Sequence, residues 1–425
     1  MVSPAAARLL THDAGALMTR LEQVKPFALH MPMVGAAAPA VAARQQIEIF
    51  LESAKHRLTG MLSELLAWLN GPGGKAAEDH VAQRRFTVVR LQFQKLLTQF
   101  DLFADVLTQR SEHEFGVWLA GLDVLADDAL AISQAPYRSP PLLCYLDRGI
   151  GAAIRRARTR LPGGGLNPVA IIRVPRERMV GSSVGGSLVH EVGHQGAALL
   201  GLVDSLRPAL QAKHEATGRR QSAWKLWERW ISEIVADYWS VAQLGIGATY
   251  GMIGVVALPR AFIFRLSLDD PHPPPWVRVR LSATLGRTLY PDPQWDDLLR
   301  VWSRLYPPGG LDPRIREVFR DVEQSIPDFV ALLVSHRPAA LRGRSLREIF
   351  PLADRQPKTL RSLAMKTKLS ARRLTRLKPT AALAVLGQAR ADSQISPEDE
   401  ARVAGDLLRT WAIQRQFAKH CGCSH

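Results

Sequence analysis

Residues Gly185 to Leu200 read GGSLVHEVGHQGAALL and hold two histidines four positions apart, His190 and His194, with Glu191 beside the first. On a helix, positions i and i+4 share a face one turn apart, so both imidazoles can reach one tetrahedral Zn²⁺ at about 2.0–2.1 Å. Glu191 follows His190 directly, near enough to take a proton from a metal-bound water. The same five letters also fit an ordinary buried helix whose histidines are satisfied in the core. Gly193 and Gly196 shift that balance, because each costs a helix interior up to about 1 kcal/mol relative to Ala. Such a cost points to something packed against this backbone, and a second helix carrying the third ligand would supply it.

The third ligand is not close by in sequence. A compact H-E-x-x-H-x-x-G-x-x-H site needs glycine at 197 and histidine at 200, where this chain has Ala197 and Leu200. Downstream, ISEIVADYW places Glu233 and Asp237 four apart, with Glu233 39 residues beyond His194. Glu233 can supply a carboxylate ligand. Asp237, one turn on, can accept the free ring N–H of a ligand histidine and fix its tautomer. The alternative for Glu233 is a salt-bridged acid on a tryptophan-rich helix.

HEVGH, EIVAD and HPPPWVRV (His272 to Val279) occur in that order. Together they resemble the gluzincin metallopeptidases, most closely the family of heat-shock membrane proteases and CAAX-prenyl proteases. The family pattern is H-E-x-G-H, E-x-x-A-D and H-P-P-x-x-x-R followed by Ile or Val. It matches at His190, Glu191, Gly193 and His194, at Glu233, Ala236 and Asp237, and at His272, Pro273, Pro274 and Arg278, within roughly residues 167–281. The resemblance implies zinc held by His190, His194 and Glu233, with Glu191 as general base and a protein or peptide as substrate. It further implies that His272 stabilises the oxyanion and that Arg278 holds the site together through an ion pair. Members of that family are usually integral membrane proteins. Here no stretch approaches the roughly 18 apolar residues of a membrane span, so a soluble relative is expected, and YGMIGVVALPRAFIF, broken by Pro259 and Arg260, reads as buried core.

These motifs need elements to hold them. Residues 41–135 repeat apolar side chains at helical spacing, interrupted by the loop signal NGPGG at Asn70 to Gly74. The β-branched run Val169 to Val174 predicts a strand, followed by a GSSVGGS turn with Ser187 as N-cap of the H-E-x-x-H helix. That strand is a natural edge for an extended substrate to pair with. Trp224, Trp227, Trp230 and Trp239 mark a helix whose tryptophans read as core packing, ending at a glycine. The expected architecture is mainly α: an N-terminal helical bundle over 1–140, a zincin-like metalloprotease domain with a small β-sheet over 141–335, and a basic helical region over 336–425.

The chain has 425 residues and a formal charge of +16, and thirteen Lys/Arg against two acids fall between Arg337 and Lys378. A field this uneven implies an acidic partner or a solvated basic face. Within it, LRSLAMKTKLSARRLTRL resembles a bacterial helix-turn-helix, with Ser370 as N-cap and Arg372, Arg373 and Arg376 facing phosphates or guanine edges; Lys368 replaces the usual turn glycine. The alternative is a basic helical hairpin that packs on the protein or grips an acidic one. Three cysteines cannot build a secreted disulfide framework, and with no apolar leader evident a cytoplasmic protein is expected. The tail KHCGCSH gathers His420, Cys421, Cys423 and His425. It could hold a soft metal, although C-x-C is tighter than the usual zinc spacing and chain ends are commonly disordered. Besides a zinc endopeptidase, the residues leave open a DNA-associated regulator and a catalytically silent zinc scaffold.

Overall fold

A computed structural model describes residues 2–24, 33–148, 151–176, 183–216, 221–267 and 269–420. The fold is mainly helical with one small sheet, and by its internal contacts the chain divides into two units. The first comprises Met1–Gly116, Pro140–Tyr145 and Arg155–Ile171; the second comprises Val117–Ser139, Leu146–Ile154 and Ile172–His425.

The first unit is built on α1 (Pro4–Gln23), α2 (Val41–Asn70) and α3 (Asp79–Thr108). Ile47, Leu51, Leu58, Leu62, Leu65 and Leu69 recur at three, four or seven residues along α2, so they form one apolar stripe. They share a core with Phe86, Phe93, Phe100 and Phe103 of α3. The NGPGG segment is less open than its composition suggests, because Pro72–Ala76 winds into a short helix with proline in its first turn.

In chain order there follow α4 (His113–Leu130), strands β1 (Leu142–Asp147), β2 (Ala153–Arg155) and β3 (Ala170–Pro175), then α5 (Ser183–Leu200), α6 (Leu202–Ala216) and α7 (Gln221–Leu244). The sheet has the order β1-β3-β2. The run expected as an edge is therefore the central strand, flanked by β1 and the three-residue β2. The run is also apolar almost throughout, and all but Arg173 are buried, as in a strand covered on both faces.

The H-E-x-x-H helix begins earlier than expected. It starts at Ser183, which puts Gly185, Gly186 and Ser187 inside α5, so Ser187 is not its cap. The glycine pair is helical because neighbours lie close against it. Gly186 faces the backbone of Ala248 and Gly251 on α8 (Ile246–Val256), and its carbonyl accepts a hydrogen bond from Ser240 Oγ at 3.1 Å.

The centre of the second unit is α7. Trp227, Trp230 and Trp239 are fully buried in it. Trp227 stacks on Phe329 at 4.6 Å and donates to Ser325 Oγ at 2.8 Å, and Trp239 donates to the Ala129 carbonyl at 2.8 Å. The helix stops where Gly245 turns into the left-handed region at φ 58°. The stretch at residues 250–264, expected as buried core, is only partly so, since Leu258 and Phe262 are 40% and 50% exposed. The remaining helices used below are α9 (Pro275–Leu289), α10 (Pro313–Ser335), α11 (Pro357–Thr367), α12 (Ala371–Leu374), α13 (Pro379–Ala391) and α14 (Pro397–His420). No helix among the described residues is long and apolar enough to cross a membrane.

The packing inferred from Gly193 and Gly196 is that of α7 on α5. A Cβ at Gly193 would lie 2.8 Å from Trp239 Cβ and 2.9 Å from Ala236 Cα, and one at Gly196 would meet the Trp239 indole. Both collisions are with groups that have little room to move. Gly193→Ala is expected to destabilise the protein by about 1–3 kcal/mol, read as a lower denaturant midpoint; an unchanged midpoint would contradict this close helix contact.

Candidate metal centre

Helix α5 sets His190 and His194 on one face, with ring centroids 4.9 Å apart and planes at 87°. The glycine contact brings α7 near enough for Glu233 to reach both. Its Oε2 lies 3.3 Å from His190 Nε2 and 3.5 Å from His194 Nε2. One donor atom from each of the three side chains falls within 4.8 Å of the others. The two imidazoles are 12% and 16% exposed, and the carboxylate 11%.

The donor set fits a divalent ion on one specific count. Glu233 Oε2 is buried and accepts no hydrogen bond of good geometry, although it faces three imidazole nitrogens. A buried carboxylate oxygen left in this way is costly unless a cation meets it. Burial alone would raise the pKa of Glu233, but His190, His194 and His272 outweigh it and hold the carboxyl far below its usual range.

Behind His190 stands a second layer. Asp237 Oδ1 lies 2.7 Å from His190 Nδ1, so that N–H donates to the carboxylate and Nε2 is turned toward Glu233. Arg278, on α9, donates to both oxygens of Asp237, at 2.7 Å from Nε and 2.8 Å from Nη2. Burial opposes ionisation of this pair. It is outweighed, for Asp237, by Arg278 and His190, which bring its pKa down to about 2. His190 is likewise opposed by burial, and Asp237 outweighs it, raising its pKa to about 9.

The structure brings together every residue read as catalytic, ligating or supporting. Glu191 is buried and lines a cavity of about 130 Å³ together with His190, Asp237, His272 and Arg278. His272 is 45% exposed; its Nε2 is 3.1 Å from Glu233 Oε2 and its Nδ1 is 2.8 Å from Asp270 Oδ1. Its pKa is raised, chiefly by Glu233. Asp270 escaped the sequence reading. It also accepts the His272 backbone N–H at 2.9 Å, so it fixes both the turn and the ring. The signal available was Asp-Pro-His, an aspartate placed to bond two residues on across a proline.

The basic segment is not a helix-turn-helix. α11 ends at Lys368, which with Leu369 adopts left-handed φ angles of 50° and 49°, and α12 is a single turn of four residues. Ser370 precedes α12 but makes no capping bond. Leu374 is buried, and Pro379 opens a new helix shortly after, so the ARRLTRL stretch cannot extend. Arg372, Arg373 and Arg376 are exposed, yet one turn is too short to lie along a major groove as a recognition helix does. Part of the charge also serves inside the protein. Arg355 is buried against the Gln243 carbonyl and Thr380, and Arg361 binds Asp292 and Asp392. Cys421, Cys423 and His425 lie outside the described residues, as does the side chain of His420.

Compared with known proteins, the chain matches no protein-family model, no curated protein and no solved structure.

Two outcomes follow from the layer behind His190. Asp237→Asn is expected to lower divalent-metal affinity by about 10–100-fold in chelator competition, and unchanged affinity would contradict the role given to Asp237. His190 is protonated in the metal-free protein below pH about 9, above its ordinary value of 6.5. Its stabilising charge is therefore fully present below pH 6.5 and lost as pH rises through 9. Metal binding near pH 7.5 must then displace a proton, seen calorimetrically as heat that varies with the buffer's ionisation enthalpy; heat independent of buffer would contradict it.

Proposed function

We propose that the chain is a zinc-dependent endopeptidase with a zincin-like catalytic domain. The observation that carries this reading is the meeting of two helix-borne imidazoles with a distant, unsatisfied carboxylate, beside a cavity lined by the acid next to the first histidine. Two nitrogens and one oxygen suit zinc, and three protein ligands leave a position open, as in catalytic rather than structural sites. The resemblance of the three motifs to heat-shock and CAAX-prenyl proteases supports the same chemistry.

A bound zinc ion would be held by His190, His194 and Glu233 and would supply an activated water and polarisation of the scissile carbonyl. The protein's own groups do the rest. Asp237 and Arg278 keep His190 in the tautomer that offers Nε2. Glu191 takes the proton from the attacking water and delivers it to the leaving amine as the peptide bond breaks. His272, oriented by Asp270, meets the negative charge that builds on the carbonyl oxygen. The exposed Lys366, Lys368, Arg372, Arg373 and Arg376 offer an acidic partner an attractive surface at low salt. A cytoplasmic location agrees with the sparse cysteines.

Glu191→Gln is expected to retain stoichiometric zinc and lose turnover of an unfolded protein substrate, whereas His194→Ala loses both. Wild-type protein that binds zinc without any cleavage above the Glu191→Gln background would point instead to a silent scaffold. Binding of random DNA duplex by the full chain, weakening steeply with salt, would favour the regulator reading.

A further inference from the structure

A second cavity lies across α8 from the one at the metal centre. Ile246, Tyr250 and Ile253, at positions i, i+4 and i+7, line it, whereas Ala248, Met252, Val255 and Val256 turn the other way toward Glu191. It measures about 650 Å³, within the roughly 300–1,000 Å³ of sites that take drug-sized molecules. The two cavities share no lining residue.

The facing wall is one side of the helix Gln294–Leu305. Leu298, Val301, Trp302 and Leu305 recur there at i, i+3, i+4 and i+7, which sets four apolar side chains along the cavity. Leu298 and Trp302 are buried, but Val301 and Leu305 are exposed at the rim. A ligand with an apolar body would remove their surface from water.

The charged lining is unbalanced. Asp292, Asp297 and Asp392 line the cavity against the single guanidinium of Arg361. Arg361 Nη1 donates to Asp292 Oδ2 at 2.7 Å, while Nε and Nη2 donate to Asp392 Oδ2 and Oδ1 at 3.0 and 3.1 Å. Its Nη2 also reaches Gln294 Oε1 at 3.3 Å. One positive charge thus serves two half-buried carboxylates, which leaves one negative charge uncompensated. Asp297 is exposed and pairs with Arg300 outside the lining. Arg390, also outside it, lies over the Tyr250 ring at 5.7 Å and is offset by Glu400 at 3.8 Å.

We infer that this cavity binds an organic cation, an amine or guanidine carried on an apolar body of drug size. Among the described residues each oxygen of Asp292 accepts one hydrogen bond, from the Gln294 backbone N–H or from Arg361, and so keeps a lone pair for a cationic donor. An anion would meet the same uncompensated charge as repulsion. This binding stands apart from the peptidase reading.

The test is isothermal titration calorimetry of the full-length protein with three probes that share one body: phenylbutylamine, phenylbutanol and phenylbutyrate. The amine should bind at one per chain and about 10-fold more tightly than the alcohol, as one hydrogen bond to a charged group gives, with the carboxylate weakest. Asp292→Asn leaves Arg361 balanced by Asp392 alone, so the amine should lose its advantage over the alcohol. Val301→Lys places a like charge at the exposed rim and should weaken the amine more than the alcohol; should Asp292→Asn not fold, this variant decides alone. Glu191→Gln should bind the amine as the wild type does. A carboxylate that binds as tightly as the amine, failure of the amine to saturate at one site, or an affinity unmoved in both cavity variants overturns the inference. Loss of amine binding in Glu191→Gln overturns it as well, because the amine would then sit in the cavity at the metal centre.

Discussion

One buried carboxylate oxygen governs this site. Glu233 Oε2 sits among His190, His194 and His272 at 3.1–3.5 Å without a hydrogen bond of its own. Taking an ionised oxygen out of water is expensive unless a positive charge stands beside it, and in the metal-free protein the protonated His190 is that charge. The surrounding structure keeps it there through close packing. Helix α7 can bring Glu233 to the histidines only because Gly193 and Gly196 remove the side chains that would hold it away. Trp239, locked by its bond to the Ala129 carbonyl, presses on that same pair of glycines. One donor atom from each of the three side chains lies within 4.8 Å of the others, a spacing that could hold a divalent ion.

Support for the site spreads outward in layers that each depend on the last. Asp237 and Glu233 are one turn apart on α7, so a single helix provides both a candidate ligand and the carboxylate that orients His190. Arg278 then neutralises Asp237 with a two-point contact, which a lysine could not reproduce. On the exposed side, Asp270 holds His272 in the way Asp237 holds His190. The two aspartate–histidine pairs differ in burial. Asp237 is 4% exposed and Asp270 54%, so the first pair is shielded from water and the second is not.

Much of the site was legible in the sequence because it is written in helical spacing. His190 and His194, then Glu233 and Asp237, are i and i+4 pairs, and that spacing alone puts each pair on one face. The cost of Gly193 within an apolar helix announced a close neighbour before the neighbour was known. What remained hidden depends on tertiary surroundings. Ser187 looked like a cap because two glycines normally signal a turn, but both are helical, with α8 packed on Gly186 and Leu383 of α13 on Gly185. The strand at Val169 to Val174 was recognisable as a strand and its unbroken apolar run recorded the burial of both faces, whereas its central position depends on which strands pair with its two edges, which the run itself does not encode. In the basic segment, left-handed angles at Lys368 and Leu369 shorten the second helix to one turn, and neither residue type signals such a conformation.

The central claim is that His190, His194 and Glu233 grip one divalent ion, and X-ray absorption at the zinc edge of the purified, zinc-loaded protein tests it most directly. The expected spectrum has only nitrogen and oxygen neighbours at about 2.0–2.1 Å, with the outer-shell scattering of two imidazoles, at one zinc per chain. Sulfur neighbours at about 2.3 Å, or failure to retain zinc at one per chain, would contradict it.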